Sequence, residues 1–394
     1  MSLPAIRVLP DHDRRLRAGS PWLYANELDM ERAAQRLEPG AVVRILLPDG
    51  KAFGLAHFNG HSLIAARLLA RKKDGDLPAD FLTHRLARAK ALRDQFYPEP
   101  FHRLVHAEAD GLPGLVVDRY GDGLVAQLNT AGMDRMREAL LDAFARTLAP
   151  AWVVWRNDSP ARLQEGLDRA VEIALGEPPE SVLVPEAGAL FLADVRHGQK
   201  TGWFYDHGLN RGWAERLAPG RRVLDLYSHT GGFGLRAALG GAQAVTLVDR
   251  AAPALALARA SAVRMGLAAR VETVEAEVFT TLDALLAEKR RFGLVIADPP
   301  AFVKAKKDLK PGLKGYRKLA RLAAGLVEER GFLLLACCSH HVDRALFQAE
   351  CFAGIREAGR SARLVHEAGA GPDHPLHPAL PESAYLKFLV YALD

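Results

Sequence analysis

The stretch Val223-Leu-Asp-Leu-Tyr-Ser-His-Thr-Gly-Gly-Phe-Gly234 decides the architecture. A short apolar run passes directly into closely spaced glycines, the pattern of a buried strand whose following turn lets the backbone approach a ligand at the sheet edge. About twenty residues on, Ala244-Val-Thr-Leu-Val ends at Asp249, where a carboxylate can accept hydrogen bonds from ribose hydroxyls. The glycines Gly231, Gly232 and Gly234 do not meet the G-x-G-x-x-G spacing that cradles a pyrophosphate. Together the two stretches point to an adenosine-bearing ligand without phosphates, and they disfavour a nicotinamide oxidoreductase.

Downstream, Val271-Glu-Thr-Val, Phe292-Gly-Leu-Val-Ile-Ala and Gly331-Phe-Leu-Leu-Leu-Ala are short apolar runs separated by alanine-rich helical stretches. That alternation predicts an α/β domain with a doubly wound parallel sheet. Each strand end then supplies a candidate. Glu277 and Val278 follow the third strand, where the next loop would meet an adenine ring, although an isolated glutamate reads more readily as a surface residue. The fourth strand ends in Asp298-Pro299-Pro300-Ala301-Phe302, an acid fixed in an extended turn by two prolines. The fifth ends in Cys337-Cys338-Ser339-His340-His341; alternation turns Cys337 away from Cys338, which leaves Cys338 as the candidate nucleophile and Cys337 as core packing.

Upstream, Ala41-Val-Val-Arg-Ile-Leu-Leu and Lys51-Ala-Phe-Gly-Leu-Ala-His-Phe flank Pro48-Asp49-Gly50, a hairpin signature that makes residues 1–75 a small β-rich module. Arg14, Arg15 and Arg17, then Arg71, Lys72 and Lys73, bracket it with positive charge. Residues 76–185 mix a helix over 80–94, a hairpin in 108–127, a helix over 132–148 and a strand at 152–155, an α+β module that identifies no chemistry. The third segment, 186–394, carries the repeated strand, turn and helix. With 394 residues, 49% hydrophobic and 25% charged, the chain can bury several cores, and a length near 150 residues per domain agrees with three domains. Three cysteines argue against a disulfide framework and for a reducing, cytoplasmic setting, and their spacing offers no metal site. The net charge of +5, with arginine outnumbering lysine, permits a polyanionic partner.

Taken together, DLYSHTGGFG, VDR, AEVF, DPPAFVKAKKDL, GYRKL and CCSHHV resemble the PUA-domain family of bacterial large-subunit ribosomal RNA cytosine-5 methyltransferases. The resemblance extends over nearly the whole chain through HAEADGLPGLVVDRYGD, GQKTGWFYD and GPDHPLHPALPESAYLKFLV. It implies an RNA-binding PUA-like domain, a central α+β domain and a seven-stranded Rossmann-like class I domain that binds S-adenosyl-L-methionine. On this chain it would lay Tyr227, Ser228 and Gly231 along the methionine and ribose, Asp249 and Arg250 at the ribose, and Glu277 with Val278 at adenine. Gln199, Lys200, Thr201 and Asp206 would close over the cofactor, with Asp298 bordering it. Cys338 falls on the family's catalytic cysteine, and Pro299, Pro300 and Phe302 would wall the base pocket. The implied partner is large-subunit ribosomal RNA, deproteinised or in an early assembly intermediate, and the resemblance admits a homodimer.

The chain departs from the family pattern at three places. Glu277 stands where aspartate is usual, Asp206-His-Gly-Leu-Asn-Arg211 replaces Asp-Gln-Arg-x-Asn-Arg, and the cysteine at 338 is doubled. Two other readings fit the same residues: a methyltransferase acting on an exocyclic amine of adenine or guanine, for which Cys338 would be dispensable, and a non-catalytic RNA-binding assembly factor. The intact glycines, Asp249 and Asp298 argue against the second.

Overall fold

The computed structural model describes residues 3–30, 36–71 and 76–394. Its packing divides into two compact units, one of Met1–Glu180, Asp194–Trp203 and Pro372–Pro381, the other of Ser181–Ala193, Phe204–Gly371 and Glu382–Asp394. Lys72 and Lys73, expected to carry basic charge, lie outside the described residues.

In the first unit, β1 (Ala5–Arg7), β2 (Trp22–Leu23), β3 (Ala41–Leu46), β4 (Ala52–Phe58) and β5 (Ala66–Ala70) form one sheet in the order β1-β3-β4-β5-β2. The expected hairpin is β3 antiparallel to β4, and its inward side chains Val43, Ile45, Ala56 and Phe58 are fully buried. Arg15 and Arg17 are exposed but engaged with Glu27 and Asp13. A second sheet, in the order β10-β9-β8-β7-β6, is built from β6 (Phe101–His106), β7 (Leu115–Tyr120), β8 (Gly123–Leu128), β9 (Trp152–Asn157) and β10 (Ala170–Leu175). The helix expected over 132–148 is two helices, Ala131–Arg135 and Arg137–Leu148. Thr130 caps the first, and the Met136 N–H bonds to the Met133 carbonyl three residues back, which tightens the turn between them.

Two segments distant in sequence are tied into this unit by buried polar groups. Asp373 accepts hydrogen bonds from the Tyr97 hydroxyl and the Arg103 amide, while the fully buried Arg93 binds Asp110 through its two terminal guanidinium nitrogens and donates to the Asp373 carbonyl. Thr201 donates to Asp118, whose carboxylate also holds Arg103. A charge buried this deeply is tolerated because it is paired and hydrogen-bonded.

The second unit opens with a hairpin of β11 (Val182–Glu186) and β12 (Ala189–Ala193). Its main sheet comprises β13 (Arg222–Leu226), β14 (Ala244–Asp249), β15 (Val271–Glu275), β16 (Phe292–Ala297), β17 (Val327–Cys337), β18 (Ala362–Ala368) and β19 (Lys387–Leu393). The order is β15-β14-β13-β16-β17-β19-β18, so the sheet is a seven-stranded Rossmann-like one as expected. Five strands are parallel, as the apolar runs predicted, but β19 runs antiparallel to both β17 and β18. Strand order reverses between β13 and β16, the place at the carboxyl ends where open α/β sheets bind their ligands. All six residues of β16 are buried, because helices cover both sheet faces.

Helix Leu309–Leu326 buries Gly312, Tyr316, Leu319, Ala320 and Ala323, a helical stripe facing the core. Gly312 lets this helix press against the Asp298–Val303 turn: a Cβ there would lie 2.4 Å from Val303 Cγ2 and 2.8 Å from the Phe302 carbonyl oxygen. Gly212, in helix Gly208–Leu217, has open space at the same position. Gly312→Ala should therefore lower the thermal unfolding midpoint by several degrees, whereas Gly212→Ala should raise stability by roughly 0.5–1 kcal/mol. Scanning calorimetry of both variants checks the contrast; equal shifts would contradict the packing described.

Candidate active site

The loop after β13 is held in a costly conformation. Tyr227 and His229 adopt φ of 60° and 49°, and such left-handed non-glycine residues cost of order 1 kcal/mol each. Gly231, at φ 79°, has no room for a side chain: a Cβ would meet Leu235, Leu247 and Ala258 at 3.1–3.2 Å. Two carboxylates hold the loop. Asp249 at the end of β14 accepts the His229 N–H at 2.8 Å and the Ala251 N–H at 2.9 Å, one on each oxygen, with the second lone pair of each oxygen still available. Asp225 accepts the Gly234 N–H at 2.8 Å, at the start of helix Gly232–Leu239.

Asp225 is 1% exposed, and burial, joined by the charges of Asp298 and Asp249, pushes its carboxyl up to about 8. The ends of β13, β14 and β16 thus form one electrostatic neighbourhood. Tyr227 is half-buried, and its phenol is raised by burial and then by the charge of Glu277, so the residues expected at the two ends of a nucleoside sense each other. Glu277 itself is exposed at the start of helix Val278–Ala287, Val278 is buried, and Arg250 is exposed. The Ser228 hydroxyl is buried without a hydrogen-bond partner among the described residues. A left-handed glycine loop, an unsatisfied buried hydroxyl and a carboxylate with lone pairs to spare fit a small polar ligand rich in hydroxyls.

Asp298 continues β16 and is half-buried; Pro299 is buried and Pro300 exposed. The turn beyond them is anchored from beneath. Phe302 lies 4.7 Å from the Tyr316 ring, its N–H reaches the Tyr316 hydroxyl at 3.3 Å, and the Val303 N–H reaches Ser339 Oγ at 3.3 Å. Tyr316 and Ser339 close the network through a 2.8 Å hydrogen bond. Ser339 follows the cysteine pair, so the network couples the two adjacent strand ends that carry Asp298 and Cys338. Ala297 is in register with Leu335, and neighbouring strands run about 4.8 Å apart.

Cys337 is fully buried in the core that also holds Tyr316; Cys338 is half-buried. The sequence reading gave no role to Lys387, which pairs with Cys337 across β17 and β19. Its ammonium is buried and donates to the Ser339 and Tyr385 carbonyls, each at 2.7 Å. Burial lowers its pKa, while Cys337, Cys338 and Asp343 oppose that shift. A lysine inside the apolar run Leu386-Lys-Phe-Leu-Val390 was the one signal available, since a cation there needs partners. Lys200 and Thr201 belong to the first unit; Lys200 is exposed with φ 51°, and the Thr201 hydroxyl is committed to Asp118. Asp206, in the second unit, accepts from the Tyr385 hydroxyl. Among the described residues no helix is long and apolar enough to cross a membrane.

Comparison with known proteins identifies the family and the fold. Residues 113–392 match the model of the S-adenosylmethionine-dependent methyltransferase family, and residues 6–71 match a PUA-like domain. Relatives include the ribosomal RNA large subunit methyltransferase I of Aeromonas hydrophila, 35% identical over 393 residues, and that of Vibrio cholerae, 33% identical over 391; each alignment covers 98% of both chains. A Streptococcus mutans chain described as a SAM-dependent methyltransferase shares the fold at a TM-score of 0.84 and 22% identity, with 99% of this chain and 100% of that one covered.

The raised Asp225 carboxyl carries a pH signature. Below about pH 4 folded and unfolded chains both hold the proton, and between there and about pH 8 only the folded chain does, so its stabilising contribution is lost as pH rises through that range. Asp225→Asn keeps an acceptor for Gly234 but does not titrate. The stability of this variant relative to wild type should increase from pH 5 to pH 8, as read from urea midpoints; a difference independent of pH would contradict the assignment.

Proposed function

The chain belongs to the S-adenosylmethionine-dependent methyltransferase family, and we propose that it methylates carbon 5 of a cytidine in large-subunit ribosomal RNA. The observation that carries this reading is the pairing of a half-buried Cys338 with Asp298 at the ends of adjacent strands, one strand from the glycine loop. The named relatives act on ribosomal RNA of the large subunit, and the PUA-like match over residues 6–71 supplies a module of the kind that binds RNA. We read residues 1–75 as that module, 76–185 as a central domain and 186–394 as the catalytic domain.

Tyr227, Ser228, Gly231, Asp249, Arg250, Glu277 and Val278 would hold the cofactor. S-adenosylmethionine, when bound, supplies an electrophilic methyl group on its sulfonium. Carbon 5 of cytosine is too weak a nucleophile to take that methyl unaided. The Cys338 thiolate adds at carbon 6, forming a carbon–sulfur bond and moving electron density onto carbon 5. The Lys387 ammonium, donating to the Ser339 carbonyl, fixes the segment that carries Cys338. Asp298 holds the base by accepting a hydrogen bond from its exocyclic amine, with Pro299, Pro300 and Phe302 walling the pocket. Once carbon 5 carries the methyl, loss of its proton expels the thiolate and restores aromaticity. Such a pocket requires an unstacked nucleotide, from a single strand or flipped out of a helix.

The test is transfer of tritium from methyl-labelled S-adenosylmethionine to deproteinised large-subunit ribosomal RNA, followed by nucleoside analysis. Label in 5-methylcytidine that falls at least about a hundredfold with Cys338→Ala is the expected result. Label in a methylated exocyclic amine, with Cys338→Ala still active, would move the chain to the amine-methylating class.

A further inference from the structure

Beside Asp298 lies a histidine that the cytosine chemistry above leaves unused. His207 is 3% exposed, at the start of helix Gly208–Leu217, and its Nε2 lies 3.3 Å from Asp298 Oδ2. Its ring meets Phe233 edge to face at 5.2 Å and Phe388 at 6.3 Å, which fixes the plane of the imidazole.

The tautomer follows from a chain of donors. Asn210 Nδ2 lies 3.1 Å from the Gly369 carbonyl oxygen, which can only accept, so the amide nitrogen occupies that position. The same Nδ2 is 3.2 Å from His207 Nδ1. An amide NH2 cannot accept a hydrogen bond, so Nδ1 must present its lone pair, and the single ring proton sits on Nε2, facing Asp298. A second proton on Nδ1 would set donor against donor.

We propose that His207 is a positioning residue for the methyl-transfer reaction: as the neutral Nε2–H tautomer, fixed by Asn210, it engages Asp298 Oδ2 and turns Oδ1 toward the exocyclic amine of the bound base. This rests on the reading of Asp298 as the residue that holds the cytosine. A carboxylate at the mouth of a crevice is otherwise free to rotate, and a donor on one oxygen both stops the rotation and assigns the other oxygen to substrate. Positioning of this kind acts mainly on the chemical step. A glutamine amide at 207 would reach about as far as Nε2 and also donate, so it can stand in for the imidazole.

Two measurements decide it. In protein labelled with 15N-histidine, the resonances absent from His207→Gln should report a neutral ring protonated at Nε2 only, in the free wild-type protein. An Nδ1-protonated ring or an imidazolium would overturn the proposal without any assay. In the methylation assay, His207→Gln should keep kcat within about threefold of wild type, whereas His207→Asn, whose amide stops near the Nδ1 position, should lose about tenfold in kcat with KM for S-adenosylmethionine little changed. Equal rates for the two variants would also overturn it. The imidazole spectrum stands apart from the identity of the methylated nucleoside, so a product other than 5-methylcytidine would sink the proposed function and leave the tautomer assignment to be judged by itself.

Discussion

Everything at the ligand edge depends on the buried Asp225 carboxyl receiving the Gly234 amide. That contact joins the end of β13 to the first turn of the next helix and so fixes the loop between them, where Tyr227 and His229 are held against their conformational preference. Asp249 reinforces the loop from the neighbouring strand through the His229 amide. Because β13 lies between β14 and β16, the same fixed point sets the spacing of Asp249 on one side and Asp298 on the other. Three carboxyl groups converge at one sheet edge, and the most buried of them holds its proton into the neutral range. Fewer charges then compete within the crevice.

A second set of contacts carries this order to the proposed nucleophile. Tyr316 and Ser339 bind each other and both reach the backbone of the Phe302–Val303 turn, so Asp298 and Cys338 sit on segments that share a hydrogen-bonded support. Lys387 adds a buried positive charge that is bonded to the residue following Cys338. The glycine at 312 admits the helix that delivers Tyr316. Stability and chemistry therefore rely on the same residues, and a lesion in this support should impair both.

The parallel strands were legible because each is buried on both faces and reads as an unbroken apolar run, as in Phe292–Ala297. The strands β18 and β19 were not separately legible. In β18 the burial alternates with exposure along Ala362–Ala368, and β19 carries a lysine at its first position, so neither looks like a core strand. The helix break at Met136 rests on one tightened turn, the Met136 N–H on the Met133 carbonyl, and escaped a periodicity reading. Candidates at strand ends could be named because sheet topology places strand ends together. His207, Tyr316, Ser339 and Lys387 could not be given roles in advance, since the partners that define them, Asp298, Phe302, Val303 and Ser339, lie 14 to 91 residues away and no local pattern encodes such pairings. Segments 194–203 and 372–381 illustrate the same point: distant contacts such as Thr201 on Asp118 and Asp373 on Tyr97 and Arg103 reveal where they pack.

The most direct test of the account is a trapping experiment with a large-subunit ribosomal RNA fragment transcribed with 5-fluorocytidine. Fluorine replaces the proton that must leave carbon 5, so a thiolate bonded to carbon 6 cannot be expelled after methyl transfer. The account predicts a protein–RNA complex that survives denaturing electrophoresis, requires S-adenosylmethionine and disappears with Cys338→Ala. No denaturation-resistant complex with wild type, or one that persists in Cys338→Ala, would contradict it.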